Sequence, residues 1–245
     1  MAEYEVGVIV PYRGSEDRDP LWEYTRNWWE HWIAGSQALD TRAILVESDH
    51  SGEMFNRSAA RNQAREKLRA LGDANMLIIA DADTIPNANA LHAALDIVIT
   101  SEDWVLPYGE DRYYNLSREH TAEILAHQAD SGEPISDDEW EHKLTATSGC
   151  LVMPARAFDR VGGYIEQFTG WGYEDDAMRL ALDTVWGRHQ RIESYICHLW
   201  HPAPEAARFD QPHIVRNRKL VRRVARGRGN KRAMLRALES VRRDI

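Results

Sequence analysis

Residues 76–86 read MLIIADADTIP. The apolar run Met76–Ala80 has the length and composition of a strand. It stops at two aspartates with one alanine between them, and Pro86 follows. Asp81 and Asp83 admit two readings. Aspartates at a strand end are ordinary turn chemistry, because their side chains bond to nearby backbone. They are also the kind of carboxylate pair that holds a hard divalent cation. The neighbours of this stretch decide between the two.

Outward from it, apolar runs alternate with helical stretches. Tyr4–Val10 and Ala43–Val46 read as the first two strands, Met76–Ala80 as the third and Asp103–Leu106 as a fourth. Helices are expected over Leu21–Ala34, rich in Trp and Tyr, over Ser58–Leu71 and over Asn87–Thr100. This alternation predicts an α/β fold: a Rossmann-like, mostly parallel central sheet with helices on both faces. Pro107–Lys143 is polar, with a helix expected around Arg118–Ala129, and reads as a substrate-facing insertion. A strand over Ala146–Met153, a short helix over Ala155–Val161 closed by Gly162 and Gly163, a helix over Asp175–Trp186 and a strand over Arg191–Leu199 complete the body. From Gln211 two basic helices are expected, broken at Gly227–Gly229. The expected organisation is one domain over 1–210, with a nucleotide-sugar half (1–106) and an acceptor half (107–210), and a basic helical tail over 211–245.

The 245 residues are 43% hydrophobic and 28% charged, as in an ordinary globular protein with room for a core. The N-terminus lacks a signal-peptide pattern, and no stretch is long and apolar enough to span a bilayer, so a cytoplasmic location is expected. Cys150 and Cys197 read as buried core residues, not a disulfide framework. The net charge of −9 is unevenly spread: from Arg216 onward twelve Lys or Arg face two acids, while the residues before hold 18 bases and 37 acids. An acidic body argues against a general nucleic-acid binder. The basic tail suits either an anionic surface or the protein's own acidic body.

Open α/β sheets bind ligands beyond the carboxyl ends of their strands. Three polar clusters fall there: Pro11-Tyr12-Arg13, Glu47-Ser48-Asp49 leading into Phe55-Asn56-Arg57, and Asp81-Ala82-Asp83. Arginines there supply donors for phosphate oxygens, and carboxylates hold Mg2+ or Mn2+, a set that suits a nucleotide diphosphate. A second signal is GWGYEDD at 170–176. Its three acids open a helix, so N-terminal capping explains part of the pattern. Capping does not require Trp171 and Tyr173, whose flat faces suit a sugar ring, or glycines that let a loop bend. HLWH at 198–201 offers His198 and His201. Alternation along a regular strand sends residues three apart to opposite faces, so one is expected as a ligand and the other as structural.

The ordered set PYR, FNR, DADTIP, TSGCLVMPARAF, GGY, GWGYEDD and a late histidine strand resembles the beta-1,4-galactosyltransferases, with related patterns in polypeptide N-acetylgalactosaminyltransferases and bacterial family 2 glycosyltransferases. The resemblance covers about Val6–Pro202 and implies the GT-A fold. It implies that Pro11, Tyr12 and Arg13 border the nucleotide and that Phe55, Asn56 and Arg57 form the segment whose arginine faces the diphosphate. By the same resemblance Asp83 binds the metal with His198 (His201 being the alternative), Asp81 faces the donor, and Trp171 lies on a mobile loop touching donor and acceptor. Tyr173, Glu174 and Asp175 fall at the acceptor site, with Asp175 as catalytic base. Tyr173 and Ala177 depart from the family pattern beside the acceptor site. The missing membrane anchor points to a bacterial or phage member.

The expected activity is transfer of a Gal, GalNAc, Glc or GlcNAc type sugar from a UDP-sugar, with Mn2+ or Mg2+, to a hydroxyl of a glycan, protein, lipid or modified DNA. Inversion with Asp175 as base is the first reading. A retaining enzyme on the same fold is the near alternative, and a non-catalytic binding protein using the basic tail is the distant one. Adjacent residues Glu174 and Asp175 lack the separation of a glycosidase acid pair.

Overall fold

The computed structural model describes residues 4–36, 41–50, 52, 54–72, 74–127, 142–144, 146–202 and 211–243. Its first half is built from β1 (Tyr4–Pro11), α1 (Asp19–Ser36), β2 (Thr41–Ser48), α2 (Arg57–Leu71), β3 (Met76–Ala80), β4 (Thr84–Pro86) and α3 (Ala88–Ser101). There follow β5 (Val105–Leu106), β6 (Tyr113–Asn115), α4 (Arg118–Ala126), β7 (His142–Leu144), β8 (Cys150–Pro154) and α5 (Ala155–Val161). The chain ends with α6 (Glu174–Val185), β9 (Gln190–Arg191), β10 (Ile196–His198), α7 (Pro212–Ala225) and α8 (Lys231–Arg242).

The main sheet has the strand order β2-β1-β3-β8-β5-β9. Strands β1, β2 and β3 pair in parallel, and β8 alone runs against its neighbours. Every side chain of β3 is buried although successive residues face opposite ways, so both faces of the sheet are covered. Helix α2 lies against β1 and β2, and α3 against β8 and β5. The approach of α2 is close because β1 carries Gly7: a Cβ there would stand 2.0 Å from Cδ2 of Leu68, which is buried in the α2 interface.

A second sheet, β4-β10-β6-β7, was not apparent in the sequence. It sits beyond the turn that follows β3, with β10 antiparallel to β4 and His198 opposite Thr84. Two expected strands differ. Arg191–Leu199 is not one strand: β9 belongs to the main sheet and β10 to the second, and between them Ser194 N–H turns back onto the Ile192 carbonyl at 2.8 Å. The strand expected from Ala146 begins at Cys150. Gly149 has φ +82° and gives its carbonyl to Asp81 N–H and Thr84 Oγ1, so it cannot extend the strand. Helix α4 ends at Ala126, and the last residues expected in it, 128 and 129, lie outside the described residues.

Helices α7 and α8 pack on each other and on α6 through Ile214, Leu220, Val224, Met234, Leu238 and Val241. The guanidinium of Arg242 donates to the carbonyls of Val161, Gly162 and Gly163, which the end of α5 leaves without helical partners. Cys150 and Cys197 are both buried free thiols, as expected. No helix among the described residues is long and apolar enough to cross a membrane.

Gly7→Val should lower stability by about 1–3 kcal/mol, because the added side chain must displace the buried Leu68. Chemical denaturation measures this, and an unchanged midpoint would contradict the close approach of α2 and β1.

Candidate active site

The turn after β3 serves both purposes that its sequence admits. Thr84 N–H and Oγ1 bond to the Asp81 carbonyl, closing a turn, while the two carboxylates leave it in different directions. Asp83, buried, meets Nε2 of His198 at 3.6 Å and Nε2 of His201 at 3.3 Å. One ligand atom from each of the three residues falls within 4.8 Å of the others.

The sheet explains this meeting. Pairing of β10 with β4 places His198 beside the turn, and Leu199 N–H donates to the Asp83 carbonyl. Strand β10 ends at His198, and Trp200 N–H then turns onto Thr121 Oγ1. The expectation that only one histidine would face the site is therefore corrected. Alternation holds only within a strand, and the chain has left the strand before His201. Each ring's Nδ1 is held by an oxygen: Asn115 Oδ1 for His198 at 3.0 Å and the Pro202 carbonyl for His201 at 2.9 Å. With Nδ1 as donor, both Nε2 lone pairs point toward Asp83, the arrangement of metal-binding imidazoles backed by a second set of hydrogen bonds. Two imidazoles and a carboxylate fit a first-row divalent ion such as Mn2+. Arg18, from the loop before α1, also pairs with Asp83. Burial raises the Asp83 carboxyl; without an ion, His198 and His201 when protonated at Nε2, together with Arg18, outweigh that and hold it well below the usual carboxylate range.

Asp81 points the other way, into α2. That helix presents Arg57, Arg61 and Arg65 at four-residue spacing, on one face. Arg57 pairs with Glu174, and Arg65 with Asp159 at 2.9 Å. Between them Arg61, only 1% exposed, spans two carboxylates: Asp81 at 2.6 Å and Asp175 at 2.7 Å. Its guanidinium stacks on the Tyr164 ring at 4.5 Å, and Tyr164 Oη lies 3.4 Å from Asp175. Burial raises the Asp175 carboxyl to about 6; Arg61 opposes that rise, while Glu174 and Asp81 add to it.

The remaining expected residues surround this pair of clusters. Pro11 ends β1, opposite Ser48. Tyr12 bonds to Asp19 and stacks near Trp22. Arg13 is held by Asp49 at 2.9 Å and lies over Phe55, so it marks the same sheet edge with its guanidinium engaged by the protein. Asn56 caps α2, accepting from Ala59 N–H. Glu174, expected toward the acceptor, is buried and paired with Arg57. Trp171 is one of few exposed large apolar side chains, 39% exposed, and Tyr173 just after it has φ +73°.

Sequence reading missed Arg61 and Arg18. The signal for Arg61 was present: three arginines at helical spacing on α2, and three consecutive acids elsewhere that lacked counter-charges. Arg18 carries no such signal, since it comes from an irregular loop.

Comparison with known proteins bears on the fold. A sequence model described as the N-terminal domain of galactosyltransferase matches residues 138–201, about a quarter of the chain, which includes β8, the GWGYEDD segment and both histidines. Among solved structures, the catalytic domain of Drosophila beta1,4galactosyltransferase 7 in complex with xylobiose is similar over 88% of this chain and 79% of that chain, with a TM-score of 0.58 at 14% identity. A mutant of that enzyme in complex with manganese, UDP-Gal and xylobiose is similar over 85% and 75%, with a TM-score of 0.53 at 14% identity. The shared architecture is the GT-A fold. No protein of curated function matches the sequence.

If both imidazoles ligate, His198→Ala and His201→Ala should each weaken Mn2+ binding by about tenfold or more, read by electron paramagnetic resonance titration. Wild-type affinity in either variant would remove that histidine from the site.

Proposed function

We propose that this protein is a metal-dependent glycosyltransferase that moves a hexosyl group from a UDP-sugar to a hydroxyl acceptor with inversion, using Asp175 as general base. One observation carries the reading: a single buried arginine joins Asp175 to Asp81, whose turn also delivers Asp83 to two histidines. Candidate base and candidate metal centre are thus fixed to one another at the carboxyl edge of the sheet, where α/β folds bind ligands. The galactosyltransferase match and the structural neighbour bound to manganese and UDP-Gal support a UDP-linked donor and Mn2+.

Each residue has a role that follows from its place. Asp83, His198 and His201 would hold the ion, which when bound supplies Lewis-acid stabilisation of the leaving diphosphate. Arg18 stands at Asp83, where its guanidinium would donate to phosphate oxygens of a bound diphosphate. Asp81, expected toward the donor, is instead bonded to Arg61 and so helps to orient the guanidinium that holds Asp175. Asp175 takes the proton from the acceptor hydroxyl as that oxygen attacks the anomeric carbon, displacing UDP from the opposite face. A carboxylate raised to about 6 is a better base than an ordinary one yet remains ionised at neutral pH. Arg61 keeps the charge of Asp175 tolerable in its partly buried position and aims it. Trp171, exposed beside the site, supplies an apolar face for a sugar ring and shields the reaction from water. Glu174 is 3% exposed and locked to Arg57, which leaves it no part in a glycosidase pair.

Asp175→Asn should cut sugar transfer by about 10²–10⁴-fold while UDP binding with Mn2+ persists. Because the base must be ionised, wild-type kcat/KM should fall as pH drops through about 6. UDP-release assays across pH read both effects; turnover of the Asn variant within a few-fold of wild type would contradict the base assignment.

A further inference from the structure

We propose that Asn217, in the basic C-terminal segment, sets the conformation of the sugar-facing loop Thr169–Gly172 and so makes α7 part of the donor–acceptor site. The sugar-facing role of that loop rests on the transferase reading above; the assignment of Asn217 does not.

Asn217 is fully buried, although α7 is otherwise a surface helix rich in arginine. Its amide nitrogen lies 3.0 Å from the carbonyl of Thr169, 3.4 Å from that of Trp171 and 3.1 Å from that of Gly172. One side chain thus gathers three carbonyls from four consecutive residues. Arg216, its neighbour on α7, donates to Thr169 Oγ1 at 3.4 Å. Among the described residues, the hydrogen bonds to 169–172 come from α7 alone.

The loop is shaped to accept this amide. Gly170, Gly172 and Tyr173 have φ of +68°, +102° and +73°, a run of left-handed backbone that gives no repeating ladder of its own. Its carbonyls then need an outside donor, and a primary amide offers two N–H bonds from one atom without bringing a charge. His213, one turn earlier on α7, lies against Gly170 so closely that a Cβ there would stand 2.8 Å from the ring. The backbone is therefore pressed onto α7 at both ends of the segment. Trp171 is left pointing outward, 39% exposed. Among the described residues the Oδ1 atom of Asn217 is buried with no hydrogen-bond partner, so the contacts that place the residue are those its nitrogen donates.

Such a clamp preorders the loop. Without it, the loop must be ordered when the sugar binds, and that cost appears as lost affinity for a ligand that contacts the loop, with no loss for one that does not. The body of the protein does not depend on this contact, because α7 also packs through Ile214, Leu220 and Val224.

Asn217→Asp is the sharpest variant: it keeps the shape and presents an acceptor to three carbonyls. Asn217→Ser, which keeps a small polar group but loses reach, serves if the Asp variant does not fold by circular dichroism. Two readouts apply. Limited chymotrypsin cleavage after Trp171, mapped by mass spectrometry, should accelerate by about tenfold or more in the ligand-free variant. Calorimetry in Mn2+ should show UDP-Gal binding weakened by about tenfold while UDP binding stays within about twofold, since only the sugar touches the loop. Unchanged cleavage in a folded variant would overturn the clamp. Faster cleavage with equal loss for UDP and UDP-Gal would overturn its link to the sugar. If wild-type protein binds neither nucleotide, the transferase reading fails, and the cleavage rate still decides the role of Asn217.

Discussion

A buried charge must be neutralised where it lies, and Arg61 is the charge around which this fold closes. Its guanidinium is removed from water and has carboxylates on both arms, one from the turn after β3 and one from the start of α6. A buried ion pair of this kind adds little net stability over an apolar packing, but removing one partner costs about 3–5 kcal/mol. What it supplies is geometry. Asp81 and Asp175 are far apart in sequence and belong to different halves of the chain, yet a planar fork holds them at fixed distances. Arg57 and Arg65 repeat the device one turn to either side, so one face of α2 determines where α6 begins and how α5 lies.

The second cluster depends on backbone register. Strand β10 reaches the site because it pairs with β4, and β4 exists because the chain turns at Asp81–Thr84. The same turn therefore aims Asp81 at Arg61 and Asp83 at two imidazoles. Oxygens behind each imidazole fix its ring, so the ligand atoms converge on one point. The reaction proposed for the protein requires a base and a cation at a set separation, and a single turn between two sheets links the candidate residues for both.

The centre of the main sheet was legible because β1, β2, β3 and β8 are long enough to show apolar runs, and Met76–Ala80 matches its strand to the residue, whereas the two-residue β9 was not. The second sheet was not, since β4, β6 and β10 are three residues each and leave no periodicity. Asp81, Asp83, Asp175 and both histidines stood out as polar groups at element ends or in an ordered set of motifs. Their partnerships did not. The contact of Arg61 with Asp175 joins residues 114 apart in sequence, and no local pattern encodes a contact of that range. His198 and His201 were each candidates, but their joint approach to Asp83 was not legible, because strand alternation does not extend past His198, where β10 ends. For the basic tail the sequence left open an anionic surface or the protein's own acidic body, because charge dominates its composition, while the few apolar residues and the asparagine that bind it to the body are thinly spread.

The most direct test is a UDP-release screen over UDP-Gal, UDP-GalNAc, UDP-Glc and UDP-GlcNAc, each with Mn2+ and with a chelator. Release from at least one donor with Mn2+, abolished by the chelator, is the expected result. Silence with every donor in the presence of Mn2+, from protein shown to be folded, would contradict the central claim.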